Sequence, residues 1–206
     1  MLIDEINHRV KNTLATVQSL ATQTFRDGAD PALRAKFGAR LVSLGRAHDV
    51  LSARKWEGAD LRDVVNATLE PFDNPDRIIT DGLSIPMSSR AVVMLSLVLH
   101  ELATNAAKYG ALSGPTGCVT VTWVISPVDK VKLHWRESDG PSVDTPQHAG
   151  FGSTLIEKGF AAQIGGAATL RFEPGGLICA LYFRRIERPH PLPSRRAGVM
   201  RVVLSL

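Results

Sequence analysis

Residues 119–136 read VTVTWVISPVDKVKLHWR, and this stretch decides the fold class. Apolar and polar residues alternate over residues 119–125 and again over residues 130–136, as they do in half-buried strands. The intervening residues 126–129 read SPVD, which is typical of a tight connection. The stretch therefore predicts an antiparallel β-hairpin with one buried face.

Further helices and strands are predicted on both sides of this hairpin. Upstream, Asp60 would cap a helix ending near residue 69, residues 77–80 form a short strand, and a long helix begins at Ser88 or Ser89. Downstream, the sequence predicts a helix over 153–164 and two strands over 168–172 and 177–185. Runs of strands beside separate helices favour an α+β sandwich over a parallel, doubly wound sheet.

The N-terminal part of the chain predicts two amphipathic helices, over residues 2–25 and 31–51. Asp30 and Pro31 restart the helical pattern as N-cap and first helical residue. The two helices would form an antiparallel hairpin with one apolar stripe on each. Two such hairpins bury their stripes by pairing as a four-helix bundle, so we expect a homodimer.

Composition excludes several classes of function. The 206 residues carry a formal charge of +4 and no basic run interleaved with aromatic residues, so nucleic-acid binding is not predicted. The longest apolar run, residues 91–99, is too short to span a bilayer. Cys118 and Cys179 lie in apolar stretches without metal-ligand spacing, which indicates buried, reduced thiols. We therefore expect a soluble, cytoplasmic protein with no membrane insertion.

Residues 100–110, HELATNAAKYG, place three polar side chains on one side of an otherwise apolar helix. At about 100° per residue, Glu101, Asn105 and Lys108 fall within roughly 60° of each other. A carboxamide oxygen suits Mg²⁺, a carboxylate can orient or deprotonate a nucleophile, and an ammonium can meet phosphate oxygens. The set fits a metal-bound nucleotide, and a solvated polar face is the alternative.

His8 faces outward on the first helix among polar groups. Asp4 and Asn12 lie one turn away from it, and Arg9 is adjacent. An exposed imidazole can attack phosphorus while a carboxylate accepts a hydrogen bond from its other nitrogen and an arginine holds phosphoryl oxygens. The alternative is an ordinary surface histidine.

Three motifs in a fixed order resemble those of the HWE family of bacterial sensor histidine kinases. Residues 7–12, NHRVKN, are similar to its phosphoacceptor box; residues 100–105, HELATN, to its N box; and residues 135–137, WRE, to its Trp-x-Glu signature. The resemblance extends over roughly residues 2–187. It implies a catalytic core without a sensor domain, in which a histidine-kinase/gyrase-type ATPase sandwich follows the helical hairpin.

The resemblance assigns a role to each polar residue. It implies that His8 is phosphorylated, with Asp4, Arg9 and Asn12 in support, and that Glu101 orients or deprotonates the attacking group. It also implies ATP and Mg²⁺ as cofactors, with Asn105 as the Mg²⁺ ligand and Lys108 on the phosphates.

The adenine side of the implied site has two candidate carboxylates. Glu137 lies where related ATPases carry the residue that contacts the adenine amino group. Asp139, before Gly140, occupies a place where the family usually has glycine, so either carboxylate could face adenine. Gly150 and Gly152 are similar to the second glycine box, where bare backbone N–H groups can approach phosphate.

The implied function is an ATP-dependent protein-histidine kinase of a two-component system. It would autophosphorylate His8 and pass the phosphoryl group to an aspartate on a response-regulator receiver domain. The expected domains are residues 1–57 for dimerisation and phosphotransfer, 58–187 for ATP binding, and 188–206 as a linker or tail. Two alternatives stay open: a histidine phosphotransferase of the same fold that relays phosphate without ATP, and a non-enzymatic dimeric regulator that binds a receiver domain. Trp135, His100 and His48 are predicted to be structural residues, with His100 hydrogen-bonded in support of the site.

Overall fold

The computed structural model describes residues 10, 12–17, 19–20, 23, 31–53, 58–72, 76–142 and 151–184. The described residues between 10 and 23 are helical, in agreement with the predicted first helix. The remaining predictions for that helix and for the C-terminal tail lie outside the described residues. The same is true of four individual residues: Asp4, His8, Arg9 and Gly150.

The described part of the chain beyond residue 30 contains seven strands, four longer helices and two short 3-10 helices, Glu70–Phe72 and Ala111–Ser113. The strands are β1 (Ala59–Asp60), β2 (Ile78–Gly82), β3 (Pro86–Met87), β4 (Cys118–Ile125), β5 (Lys130–Ser138), β6 (Ala167–Glu173) and β7 (Gly176–Arg184). The helices are α1 (Pro31–Ala53), α2 (Leu61–Leu69), α3 (Ser89–Lys108) and α4 (residues 151–164), the last containing a π-helical turn at Leu155–Gly159.

Five of the strands form one mixed sheet in the order β2-β4-β5-β7-β6. The predicted hairpin is its centre: β4 and β5 are antiparallel, with Val121 opposite Trp135. Antiparallel pairing continues through β7 to β6, whereas β2 runs parallel to β4. The parallel pair needs a crossover connection, and α3 supplies it. Strands β1 and β3 form a separate two-residue ladder.

The helix starts follow the capping residues read from the sequence. The Asp60 carboxylate accepts a hydrogen bond from the Arg62 backbone N–H at 2.8 Å and caps α2. The Ser88 hydroxyl accepts one from the Ala91 N–H at 3.2 Å and caps α3. Side-chain oxygens at these positions satisfy backbone donors that a helix leaves unpaired. The predicted Asp60 cap is confirmed, and so is the predicted start of the long helix at Ser88 or Ser89.

One cluster of buried side chains joins α2, α3 and the sheet. Trp123 and Trp135 project from the buried face of the hairpin, and α3 contributes Leu95, Leu99 and Leu102, all fully buried. Because helices cover one face of a largely antiparallel sheet, the fold is the predicted α+β sandwich.

Helix α1 packs on the outside of α3. Ser43, Ala47 and Leu51, each four residues from the next, are buried on its inner side together with His48. The Ser43 hydroxyl donates to the Ser96 carbonyl at 3.3 Å. His48 is therefore the packed histidine that its position predicted. Part of the stripe expected to face a second hairpin faces α3 instead, and the dimeric bundle stays a prediction.

The two cysteines differ in burial, and both are free thiols. Cys179 is fully buried on β7, and burial, with a smaller contribution from Glu157, raises the pKa of its thiol to about 12. Cys118 is only half-buried at the start of β4, so the prediction of a buried thiol is wrong for this residue.

Within the described ranges, no helix combines the length and apolarity that crossing a membrane would require.

Candidate nucleotide-binding site

The polar set predicted on α3 lies along one side of that helix. Glu101 and Asn105 are half-buried one turn apart, and Lys108 is exposed in the last turn. On the other side, Leu102 and Ala106 are buried in the core. The core thus fixes the helix backbone while the polar side chains stay accessible, as a binding site built on a rigid element requires.

Gly152 brings the first turn of α4 against this polar set. A Cβ atom at Gly152 would lie 3.0 Å from Glu101 Oε2 and 3.8 Å from Asn105 Nδ2. The absence of a side chain therefore lets bare backbone approach both polar groups. The structure places three of the predicted site residues together: Glu101, Asn105 and Gly152.

Arg40 on α1 completes the surroundings of Glu101, and sequence reasoning missed it. Its Nε donates to Glu101 Oε1 at 2.6 Å and its second guanidinium nitrogen donates to Oε2 at 3.0 Å. Only 19% of the Arg40 side chain and 12% of the Glu101 side chain are exposed. A signal was present: Arg40 lies three residues after Phe37 and four before Leu44, which puts a charge on the predicted apolar stripe.

Glu137 is buried beneath the end of α3, with only 3% of the residue exposed. Its Oε2 accepts a hydrogen bond from the Ala111 N–H at 2.9 Å, and its Oε1 accepts one from Trp135 Nε1 at 3.2 Å. Burial raises the pKa of this carboxyl, and the two hydrogen bonds act against that shift. A Cβ at Gly110 would come within 2.0 Å of Glu137 Oε2, so the close approach depends on that glycine.

Asp139 adopts a left-handed backbone conformation, with φ of 56°. Glycine adopts this conformation without strain, and aspartate is one of the few other residues that tolerate it. This conformation accounts for the glycine that the resemblance implies at this position. Asp139 is exposed, and its carbonyl accepts a hydrogen bond from the Thr116 hydroxyl at 3.2 Å. Gly140 packs so closely that a Cβ would lie 2.5 Å from Ala111 Cα.

Replacing Glu137 with glutamine is expected to change the pH dependence of stability. Because its folded pKa is raised, the neutral carboxyl stabilises the fold fully below the ordinary value of 4.5, and this contribution is lost as the pH rises through the folded pKa. Glutamine cannot ionise. The melting temperature of the wild type minus that of Glu137→Gln should therefore fall as the pH is raised from 4.5, and a rising difference would contradict the buried environment.

His100 and Trp135 occupy supporting positions. Trp135 is fully buried and donates to Glu137, so the prediction of a core aromatic is confirmed. The His100 ring lies 5.5 Å from the Phe72 ring, centroid to centroid. Burial lowers the pKa of His100; Glu101 opposes this effect, and Arg46 and Arg40 add to it. The hydrogen bond predicted for His100 is not found at Nε2, which is buried without a partner among the described residues.

The donor set around Asn105 fits a metal ion that takes most of its ligands from elsewhere. Mg²⁺ in nucleotide sites is held by one or two protein oxygens together with phosphate oxygens and water. Asn105 offers one carboxamide oxygen beside the Glu101 carboxylate. No group of three or more His, Cys, Asp or Glu side chains that could hold a metal occurs in the described part of the chain. Of the phosphoacceptor motif, residues 7–12, the structure describes Val10 and Asn12; both are helical, and Asn12 is exposed.

The chain is similar in sequence to known histidine kinases. A family model described as HWE histidine kinase matches residues 5–84. A blue-light-activated histidine kinase from Brucella anthropi is 40% identical over 180 residues, which cover 84% of this chain and 37% of the relative. A protein of the same description from Brucella ovis is 39% identical over the same shares. The chain thus spans little more than a third of the length of these curated relatives.

Solved structures show the same fold at low sequence identity. The histidine kinase domain of the Erythrobacter litoralis blue-light activated histidine kinase matches with a TM-score of 0.62 and 16% identity, covering 89% of this chain and 90% of that one. A longer structure of that kinase matches with a TM-score of 0.63 and 13% identity, over 90% of this chain and 60% of that one.

Proposed function

Because the chain belongs to the HWE family of histidine kinases, we propose that it is an ATP-dependent protein-histidine kinase of a two-component system. It phosphorylates His8 and then donates the phosphoryl group to an aspartate on a response-regulator receiver domain. The proposed division of the chain is residues 1–57 for phosphotransfer and dimerisation, 58–187 for ATP binding and 188–206 as a linker or tail. We propose that this activity is cytoplasmic, since it would use ATP and receiver domains, and that the working unit is a homodimer.

The observation that carries the proposal is the convergence of Glu101, Asn105 and Gly152. A carboxylate, a carboxamide and bare backbone lie within a few ångströms of one point at the start of α4. Backbone N–H groups at a helix start attract phosphate, and a carboxamide oxygen suits Mg²⁺. Lys108, exposed one turn beyond Asn105, supplies a cation for the phosphate oxygens.

In the proposed reaction a ring nitrogen of His8 attacks the γ-phosphorus of ATP. A P–N bond forms while the bond from phosphorus to the β,γ-bridging oxygen breaks, and ADP leaves. Mg²⁺, when bound, would neutralise phosphate charge; positioning and charge neutralisation supply most of the catalysis of such transfers. Glu101 orients the attacking imidazole, with Asp4, Arg9 and Asn12 supporting it. In the second reaction a receiver carboxylate attacks phosphorus and the P–N bond breaks.

Incubation of the wild-type chain with Mg²⁺ and γ-labelled ATP tests the proposal. We expect label in the protein that is labile in acid and stable in base, as a phosphorylated imidazole is, and that moves to a cognate receiver domain when candidate receivers are added. Omission of Mg²⁺ should prevent labelling. A chain that binds no Mg²⁺-ATP but accepts phosphate from a phosphorylated receiver would instead be a relay, and the kinase proposal would fail.

A further inference from the structure

We propose that Arg40 is a positioning residue for the kinase reaction: it holds the Glu101 carboxylate and couples the helix of the phosphotransfer hairpin to the nucleotide-binding helix. This role rests on the proposed function, because it assumes that Glu101 acts in phosphoryl transfer. It adds a residue from a different part of the chain to the site described above.

The geometry of the pair is that of a strong, directional contact. The two guanidinium nitrogens of Arg40 donate to different oxygens of Glu101, at 2.6 and 3.0 Å. A planar guanidinium that meets both oxygens of a carboxylate fixes the orientation of that carboxylate as well as its position. The carboxylate plane of Glu101 is therefore set by α1 and not only by its own helix.

Burial distinguishes this pair from an ordinary surface ion pair. Both side chains are more than four-fifths covered, and the neighbouring contact between Ser43 and Ser96 joins the same two helices. An arginine or glutamate left without its partner in such surroundings is strongly disfavoured. By contrast, Arg46 on the same helix approaches Glu70 only to 3.9 Å, with 39% and 79% of the two side chains exposed.

Glu101 lies between two parts of the proposed machinery. The Arg40 guanidinium bonds its carboxylate from the α1 side, and the Gly152 backbone approaches Oε2 from the α4 side. Helix α1 is the second helix of the predicted hairpin, and His8 lies in the sequence of the first. The pair therefore sets how the carboxylate is presented between nucleotide and acceptor. A small misplacement of a catalytic group is enough to slow a reaction about 100-fold.

The test compares Arg40→Met with the matched control Arg46→Met. At saturating Mg²⁺-ATP, R40M should label at a rate lower by about 100-fold, while its KM for ATP stays that of the wild type. R46M should label as the wild type does, because the contact of Arg46 with Glu70 is long and the Glu70 side chain is 79% exposed. Arg40→Lys keeps the charge but not the paired geometry and should be intermediate. The double variant R40M with Glu101→Gln should be no slower than the slower single variant, since both changes remove one interaction.

Each outcome decides the role of Arg40. If R40M melts below the assay temperature, R40K takes its place, and an R40K rate equal to that of the wild type would overturn the role. An active wild type together with an R40M rate equal to that of R46M would also overturn it, and would leave the proposed function standing. If R40M changes the ratio of ATP affinity to ADP affinity, Arg40 contacts the γ-phosphate directly, and the positioning role is overturned. A wild type that takes up no phosphate would overturn the proposed function and this role together.

Discussion

Replacing Asn105 with alanine is expected to reduce the affinity for Mg²⁺-ATP by at least about 100-fold, because even the supporting partners of metal ligands are worth 10–100-fold. Asn105 is the carboxamide proposed to bind Mg²⁺, and its Nδ2 lies 3.8 Å from the point where a Cβ of Gly152 would stand. Alanine supplies no oxygen ligand there. Calorimetric titration with Mg²⁺-ATP measures the loss.

The fold should survive this substitution. Asn105 is half-buried on the polar side of α3, while the opposite side of the helix holds the core residues. Asn66→Ala is a suitable control, since Asn66 is an exposed asparagine on α2 whose side-chain oxygen accepts a long hydrogen bond, at 3.4 Å, from the Thr80 hydroxyl. Undiminished affinity in Asn105→Ala, or an equal loss in both variants, would remove Asn105 from the metal site.

Replacing His8 with alanine is expected to abolish acid-labile labelling from ATP and leave Mg²⁺-ATP binding intact. The reason is that the nucleophile and the nucleotide-binding groups are different residues. His8 supplies only the nucleophilic nitrogen, whereas α3 and the start of α4 are proposed to hold the phosphates. Alanine has no nucleophilic atom. Filter binding of labelled protein measures the first quantity, and titration with a non-hydrolysable ATP analogue measures the second.

His134→Ala serves as the matched control for His8→Ala. His134 is a half-buried histidine on β5, and its pKa is lowered by burial and by Lys132 and Arg136. Its side chain lies on the face of β5 opposite the buried Leu133 and Trp135, so its loss should leave labelling unchanged. Label that persists in His8→Ala and disappears in His134→Ala would place the acceptor in the sheet and contradict its assignment to His8.

Local sequence rules predicted most elements of the described fold. Capping side chains placed the starts of α2 and α3, and strict alternation placed β4 and β5, because these signals depend on neighbouring residues alone. The parallel pairing of β2 with β4 could not be read in this way. It joins segments about forty residues apart in sequence, and the residues of a five-residue strand do not indicate which strand it will pair with.

The same distinction between local and long-range contacts applies to the residues of the candidate site. Glu101 and Asn105 could be predicted because helical spacing puts them on one face, and the structure adds Gly152 to them. Arg40 was missed because its partner lies 61 residues away in sequence. The double hydrogen bonding of Glu137 was also hidden, since Ala111 reaches it through a turn that follows α3. The resemblance showed that Asp139 stands where glycine is usual, but only the left-handed backbone conformation at this residue explains why.

The most direct measurement for the central claim is to map the phosphorylated residue after brief reaction of the wild-type chain with Mg²⁺-ATP. Digestion and mass spectrometry must be kept at neutral or basic pH, so that a phosphorus–nitrogen bond survives. We expect a single phosphate on the peptide that contains His8, on its imidazole. Phosphate on another residue, or a chain that binds Mg²⁺-ATP and carries no phosphate at all, would contradict it.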